Sequence, residues 1–332
     1  MMQTAPFFTD CIEDFMPGRA FWADTEDGVR IRMGGWNETA EKGTVLLFPG
    51  RSEYIEKYAH TAGDMARAGY ATLAVDWRGQ GLADRFLDNP LIGHVGAFSD
   101  FQHDVRAAIA AAAELNLPKP WFLLGHSMGG CIGLRALHNG LPVEAAVFSA
   151  PMWGLQIAPT KRPVAWALSW SSRYLGTSEN LAPSTLEEAY VSVAPFEDNT
   201  LTTDPAMWNL MRDQLVKHPE LGLAGPSLNW LHGALREMLT LSRMPSPALP
   251  CLTYLGGNER IVALDRIRDR MNAWPGGNLV EVPGAEHEIL MEKPEIRQRA
   301  CAEIQGFYAA VAAGKPPYGA PGRAADHILK SA

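Results

Sequence analysis

The segment Gly125-His126-Ser127-Met128-Gly129, followed by Gly130, sets a serine between two glycines. The apolar run WFLLG, residues 121–125, leads into it, and a helical stretch over 128–139 leads away. A serine at such a strand-to-helix turn holds its hydroxyl above the strand end, where it can attack an acyl carbon. The bend tolerates no bulk on either side, which accounts for glycine two residues before and two after. The helix start turns free N–H groups and positive dipole towards developing negative charge, so the backbone N–H of Met128 is expected to be one oxyanion donor. In a chain with 31 glycines a bare GxSxG is often only a turn. The strand before and helix after single out Ser127 as a candidate nucleophile.

A serine hydroxyl needs a base, and the base needs an orienting acid. Where a serine occupies such a turn, the acid and then the histidine follow it in the chain. Of nine histidines, His287 fits: it lies in PGAEHE, just after the apolar run NLVEV, residues 278–282. His126 adjoins Ser127, but its side chain is expected to point away from it at the turn. His138 reads as a surface or capping residue. His218 and His232 lie where substrate contact is open to them but triad geometry is not, and His60, His94, His103 and His327 read as structural or solvated. The acid belongs in the loop after CLTYL, where GGNERIV offers Glu259 at the tip. Asp265 is the rival, placed inside the following helix. The second oxyanion N–H is expected from Arg51, after the Pro49-Gly50 bend that ends TVLLF.

These residues require a sheet to position them. Residues 21–36 read as a hairpin turning at Asp27 and Gly28. Uninterrupted apolar strands at 44–48, 70–76, 121–125 and 142–150 then alternate with helices near 55–68, 98–115 and 128–139. Strands buried on both faces and separated by helices make a mainly parallel, doubly wound α/β sheet. The rhythm breaks over 152–247, where helical segments and prolines replace apolar strands, as expected of an inserted helical cap. It resumes with a strand at 251–257, a helix near 263–273, a strand at 278–282 and a last helix over 294–312. The expected division is a core formed by 1–151 and 248–314, a cap over 152–247 and a loosely ordered tail over 315–332.

With 332 residues, 47% hydrophobic and 20% charged, the chain can bury a large core and is not extended disorder. A net charge of −8 repels a phosphate backbone, so nucleic acid is not an expected partner. No stretch approaches the roughly 20 apolar residues of a membrane span, and the first 20 residues lack the basic start and apolar centre of an export signal. The four cysteines lack metal-ligand spacing and read as reduced, buried thiols, consistent with a cytoplasmic location. Five tryptophans, Trp153, Trp166, Trp170, Trp208 and Trp230, fall in or beside the cap. Trp166 and Trp170, with Tyr174, recur at a spacing of four on one helical face; with Trp153 they are the candidate lining of an acyl-chain pocket, the alternative being a core for the cap itself.

LLFPGRSEYIEKY, VDWRGQGLADR, LLGHSMGG, GGNERIV and PGAEHEILME, spread in order over 44–291, resemble the lysophospholipase and monoacylglycerol lipase branch of the α/β-hydrolases. Relatives commonly carry His where Pro49 stands and Asp where Glu259 stands. The resemblance implies hydrolysis of a single-chain lipid ester through an acyl-enzyme, beneath a helical cap and without cofactor or metal. It places Ser127, Glu259 and His287 in the triad, and Arg51 and Met128 in the oxyanion hole. A cap of this kind can rest peripherally on a membrane surface. The same triad would also serve an acyltransferase, a peptidase or a perhydrolase, and the fold can serve as a non-catalytic lipid binder.

Overall fold

The computed structural model describes residues 2–12 and 16–316, so most of the tail expected over 315–332 lies outside the described residues. Nine strands form one sheet: β1 (Thr4–Ala5), β2 (Gly18–Asp24), β3 (Arg30–Trp36), β4 (Thr44–Phe48), β5 (Ala71–Asp76), β6 (Trp121–His126), β7 (Ala145–Ser149), β8 (Cys251–Gly256) and β9 (Gly277–Val282). Their spatial order is β1-β2-β3-β5-β4-β6-β7-β8-β9. The first three strands and the β3–β5 pair are antiparallel, and every pairing from β5 through β9 is parallel. The expected hairpin is β2–β3, turning through Gly28 at φ +82°. The strand expected over 142–150 is the shorter β7.

Between the strands run α1 (Ala59–Arg67), α2 (Phe101–Glu114) and α3 (Met128–His138), and later α8 (Leu264–Asn272) and α9 (Pro294–Ala312). Alternation along each strand feeds two cores. Leu46, Phe48 and Leu123 pack with Val105, Ile132 and Ile267 of α2, α3 and α8 on one face. Val45, Leu47 and Leu124 pack with Met65, Ile304 and Tyr308 of α1 and α9 on the other. This double burial is why the central strands carry no polar alternation.

From β4 the chain crosses to β5 on one side, then returns to β6 on the other. The carboxyl ends of β4 and β6 therefore flank a topological switch point, where loops diverge and leave a crevice. The Pro49–Arg51 bend and Ser127 lie at those two ends.

Between β7 and β8 the described chain has no further strand of the sheet. It forms α4 (Arg162–Leu175), α5 (Tyr190–Val193), α6 (Pro205–Lys217) and α7 (Leu228–Ser242). Local chemistry sets their ends. Gly176, at φ +70°, stops α4. Asp204 accepts from the Ala206 N–H at 2.8 Å to start α6, and Ser227 accepts from the Trp230 N–H at 3.1 Å to start α7. Helix α7 presses Trp230, Ala234 and Met238 onto the core, and α4 packs against α7.

Buried ion clusters brace the sheet beneath the crevice. Arg32 donates to both carboxylate oxygens of Glu56, at 2.8 and 2.7 Å, and to Asp76 at 2.7 Å, all three being fully buried. Asp76 also accepts from the Ile55 and Leu82 N–H groups, and Arg78 bridges Asp104 and Asp27. Asp76 and Arg78 thus shape the loops next to the site.

Candidate active site

Ser127 joins β6 to α3 at φ +48°, ψ −116°, a conformation that costs a non-glycine residue about 1–3 kcal/mol and persists only where its surroundings enforce it. The enforcement is visible. The Ser127 N–H donates to the Ser149 carbonyl at 3.0 Å, and the Ser127 carbonyl accepts from the N–H groups of Gly130 and Met152 at 2.9 and 2.8 Å. Helix α3 begins hard against the end of β4: a Cβ on Gly129 would be driven into the carbonyls of Phe48 and Pro49. Glycine at 129 is what lets the start of α3, at Met128, lie beside the bend that carries Arg51.

His287 follows β9, as expected, and its Nδ1–H donates to Oε2 of Glu259 at 2.6 Å. The other oxygen of Glu259 accepts from the Ile261 and Val262 N–H groups at 2.6 and 3.0 Å. Burial opposes charge on Glu259, but His287 and then these two amides outweigh it and hold the carboxyl below its ordinary range. Asp265 stands exposed in the first turn of α8, so the geometry pairs His287 with Glu259 and not with the rival. The inserted segment steadies this loop. Thr200 and Leu201 carbonyls accept from the His287 and Glu288 N–H groups at 3.3 and 2.8 Å, and Arg260 reaches Asp198 at 2.6 Å.

Ser127 and His287 open on one cavity of about 760 Å³. Arg51, Glu53, Lys57 and His126 share its polar end, and Ile157, Leu168, Met211, Leu215, Leu223 and Leu231 are among its apolar walls. The three tryptophans expected to line it do not. Trp153 is buried beneath the site, its Nε1–H donating to Gly130 at 3.2 Å and its ring packing on Phe148 and Trp274. Trp166 turns to His232 on the far side of α4, and Trp170 is exposed beside Tyr174. The reason is helical phase: α4 turns Val164, Ala165 and Leu168 towards the cavity, and a residue two positions on from Val164 lies about 200° around the helix. Trp230 of α7 is the tryptophan that lines it. Trp208 is packed in a separate cluster with Met211 and Met291. His218 stacks on Phe8 outside the cavity, at 3.7 Å between ring centroids.

His126 was expected to point away from Ser127, yet its side chain lines the same cavity, with its ring centroid 4.8 Å from that of His287. Its Nδ1–H donates to the Ser149 carbonyl at 3.0 Å, which turns the ring inwards. Burial pushes its pKa down to about 4, against the pull of Glu53 and with the help of His287, so the ring is neutral near pH 7.

Sequence reasoning also missed a buried charge cluster under the polar end. Lys57 lies 2.7 Å from both Glu53 and Glu288, and Tyr58 donates to Glu53 at 2.6 Å. Glu53 in turn accepts from the Gly50 N–H and so braces the bend before Arg51. Glu53, His126 and Glu288 are close enough to share a metal ion, but the Lys57 ammonium is already paired with both carboxylates. The i, i+4 spacing of Glu53 and Lys57 was legible; their meeting with Glu288 was not. The four cysteines are free and buried, in keeping with the expectation of reduced thiols. No described helix is long and apolar enough to cross a membrane.

Comparison with known proteins agrees with this geometry. The chain is 29% identical over 296 residues to lysophospholipase L2 of Escherichia coli (strain K12), covering 85% of each chain. It is 29% identical over 277 residues to a monoacylglycerol lipase of Mycolicibacterium smegmatis, covering 80% of this chain and 88% of that one. A soluble variant of the monoglyceride lipase of Saccharomyces cerevisiae, solved with a substrate analogue, superposes with a TM-score of 0.67 at 18% identity over 87% of this chain and 94% of that one, a likeness of fold. The family model Hydrolase_4, described as serine aminopeptidase, S33, matches residues 39–294, well over half of the chain. The protein therefore belongs to the Hydrolase_4 family and is a serine hydrolase of the α/β-hydrolase fold.

Proposed function

We propose that this ester-hydrolysing serine hydrolase cleaves single-chain lipid esters of the lysophospholipid or monoacylglycerol class, with Ser127 as nucleophile, His287 as base and Glu259 as orienting acid. The observation that carries the reading is the cavity: apolar walls from the inserted helices end on Ser127 and His287, so a chain buried along them presents its ester to the hydroxyl. Each methylene buried there is worth about 0.8 kcal/mol. His287 Nε2 takes the Ser127 proton as Oγ attacks the ester carbon, and Glu259 fixes the Nδ1–H tautomer that leaves Nε2 free to accept it. The carbonyl oxygen gathers charge and is received by the N–H groups of Arg51 and Met128. Collapse expels the alcohol, protonated by His287, and leaves acyl-Ser127. Water, deprotonated by the same imidazole, then releases the fatty acid and restores the serine.

On this reading residues 152–247 act as the cap. Its outer surface on α4 carries Trp170, Tyr174 and Leu175, between 53% and 72% exposed, a face suited to resting on a lipid surface. A fluorophosphonate probe tests the centre: it should label the wild type at Ser127 and spare Ser127→Ala. A panel of p-nitrophenyl esters of rising chain length, run beside monoacylglycerol and lysophosphatidylcholine, tests the substrate class. Turnover confined to short soluble esters would remove the lipid reading and spare the triad; cleavage of peptide amides in preference to esters would remove both substrate claims.

A further inference from the structure

Arg51 lines the cavity without a counter-ion. Its guanidinium donates to the Ala224 carbonyl and, at 3.1 Å, to Ser52 Oγ, and lies 5.4 Å from the centre of the Trp230 ring. Its Nε is buried and has no hydrogen-bond partner. No carboxylate pairs with it among the described residues. Three other buried cations do have such partners, Arg32 in Glu56 and Asp76, Arg78 in Asp104 and Asp27, and Lys57 in Glu53 and Glu288, whereas Arg270 is held by backbone carbonyls as Arg51 is, but outside this cavity. Glu53, two residues along the chain, is committed to Lys57, Tyr58 and the Gly50 N–H. The charged neighbour that acts on Arg51 is a second cation, Arg85, itself held by backbone carbonyls such as those of Pro90 and Gly81. Burial and then Arg85 pull Arg51 down to about 9, which still leaves it charged at neutral pH.

A partly buried guanidinium near a second cation, with its Nε–H unspent, is costly on its own and is relieved by an anion. The cavity supplies room for one; of its other positive groups, Lys57 is already paired with Glu53 and Glu288, and Lys161 stands exposed to solvent. Position fixes what that anion is. The bend at Phe48 and Pro49 that leads to Arg51 lies against the start of α3, whereas the Arg51 side chain reaches across to Ala224 and Trp230. In a 1-acyl lysophospholipid the phosphorus is six bonds from the ester carbon, roughly 7 Å when extended; an arginine Cζ is five bonds, roughly 6 Å, from its own Cα. A carbonyl oxygen at the Arg51 N–H therefore brings a glycerol-linked phosphate within reach of the guanidinium of the same residue.

We propose that Arg51 is a specificity residue that recognises the phosphate of a lysophospholipid, so that the enzyme prefers a phosphodiester headgroup to the uncharged glycerol of a monoacylglycerol. The assignment rests on the single-chain lipid ester reading above and narrows it. The test compares lysophosphatidylcholine, lysophosphatidylglycerol and monoacylglycerol of one acyl chain, each in the same neutral detergent micelles, with wild type, Arg51→Met and Arg51→Lys. The wild type should favour both phosphate esters in kcat/KM by roughly tenfold or more, the scale of one charge-assisted hydrogen bond. Arg51→Met should erase most of that ratio, chiefly through KM, and Arg51→Lys should restore part of it. A wild-type ratio near one overturns the proposal. So does an equal loss on all three substrates in Arg51→Met, which would make Arg51 only a brace for the Ala224 turn. Should the variants not fold, wild-type inhibition decides: dodecylphosphocholine should inhibit p-nitrophenyl ester hydrolysis at least about tenfold more tightly than dodecylglycerol ether, and equal inhibition overturns the role. Hydrolysis of none of the three lipids, with p-nitrophenyl esters still cleaved, instead defeats the lipid reading and the Arg51 assignment with it.

Discussion

Replacing Glu259 by glutamine changes one atom and should cost more activity than its size implies. The carboxylate accepts three hydrogen bonds, two from the Ile261 and Val262 amides on Oε1 and one from His287 on Oε2. A glutamine can keep its carbonyl oxygen on the two amides, but its NH₂ then faces His287 Nδ1 at the position where 2.6 Å separates the present pair. Two donors cannot share that contact. The imidazole must therefore turn Nδ1 into an acceptor and carry its proton on Nε2, where it can no longer receive one from Ser127. A wrong tautomer in a serine triad lowers kcat by about 10⁴, or about 5.5 kcal/mol of barrier. Glu259→Asp withdraws the carboxylate by one methylene, about 1.5 Å, and should lose on the order of 10²-fold. Asp265→Asn, in the exposed turn of α8, should stay near wild type. The assay is kcat/KM on a soluble p-nitrophenyl ester at pH 7, normalised to folded protein by circular dichroism. Glu259→Gln within tenfold of wild type, or a large loss in Asp265→Asn instead, would refute the reasoning. The same carboxyl predicts a pH effect of definite sign. Because its folded pKa is depressed, its stabilising contribution is complete above the ordinary glutamate range and is lost as pH falls through the folded value. Urea unfolding of wild type and Glu259→Gln should converge on acidification, and a wild-type advantage that grows towards low pH contradicts it.

Truncating the cavity tryptophan, Trp230→Ala, should raise KM for long-chain esters by roughly tenfold or more, whereas Trp170→Ala should leave soluble-ester kinetics unchanged; the reverse pattern would restore Trp170 to the cavity. Gly129→Ala forces a Cβ against the Phe48 and Pro49 carbonyls and should destabilise the fold by about 3 kcal/mol or more or unseat Ser127, as read by thermal unfolding and fluorophosphonate labelling. Arg32→Met strands the buried carboxylates of Glu56 and Asp76 and should cost about 3–5 kcal/mol in urea unfolding, and a loss below 1 kcal/mol would show that the cluster does not hold the sheet. Trp170→Ala combined with Tyr174→Ala should weaken co-sedimentation with anionic lipid vesicles, with unchanged binding arguing against contact through α4.

Much of this arrangement was legible in the chain because its signals are local. Apolar runs such as TVLLF and WFLLG, five residues long and closed by Pro or Gly, suit a strand buried on both faces, and their alternation with helices set the parallel core. Glycines around Ser127 and the loop positions of Glu259 and His287 followed from turn chemistry and chain order. Side-chain direction was not local. Trp166 and Trp170 have the right spacing for one face of α4, but only packing against α7 decides which face meets the cavity. His126 turns inwards because the Ser149 carbonyl, on a neighbouring strand, captures its Nδ1–H. Lys57 meets Glu288 from 231 positions away, and Arg51 is left without a carboxylate, through contacts that exist only once β4, β9 and the inserted helices are brought together. Sequence periodicity encodes which residues must leave water; which partner each buried charge then finds, or fails to find, is fixed by the tertiary crossing of distant segments.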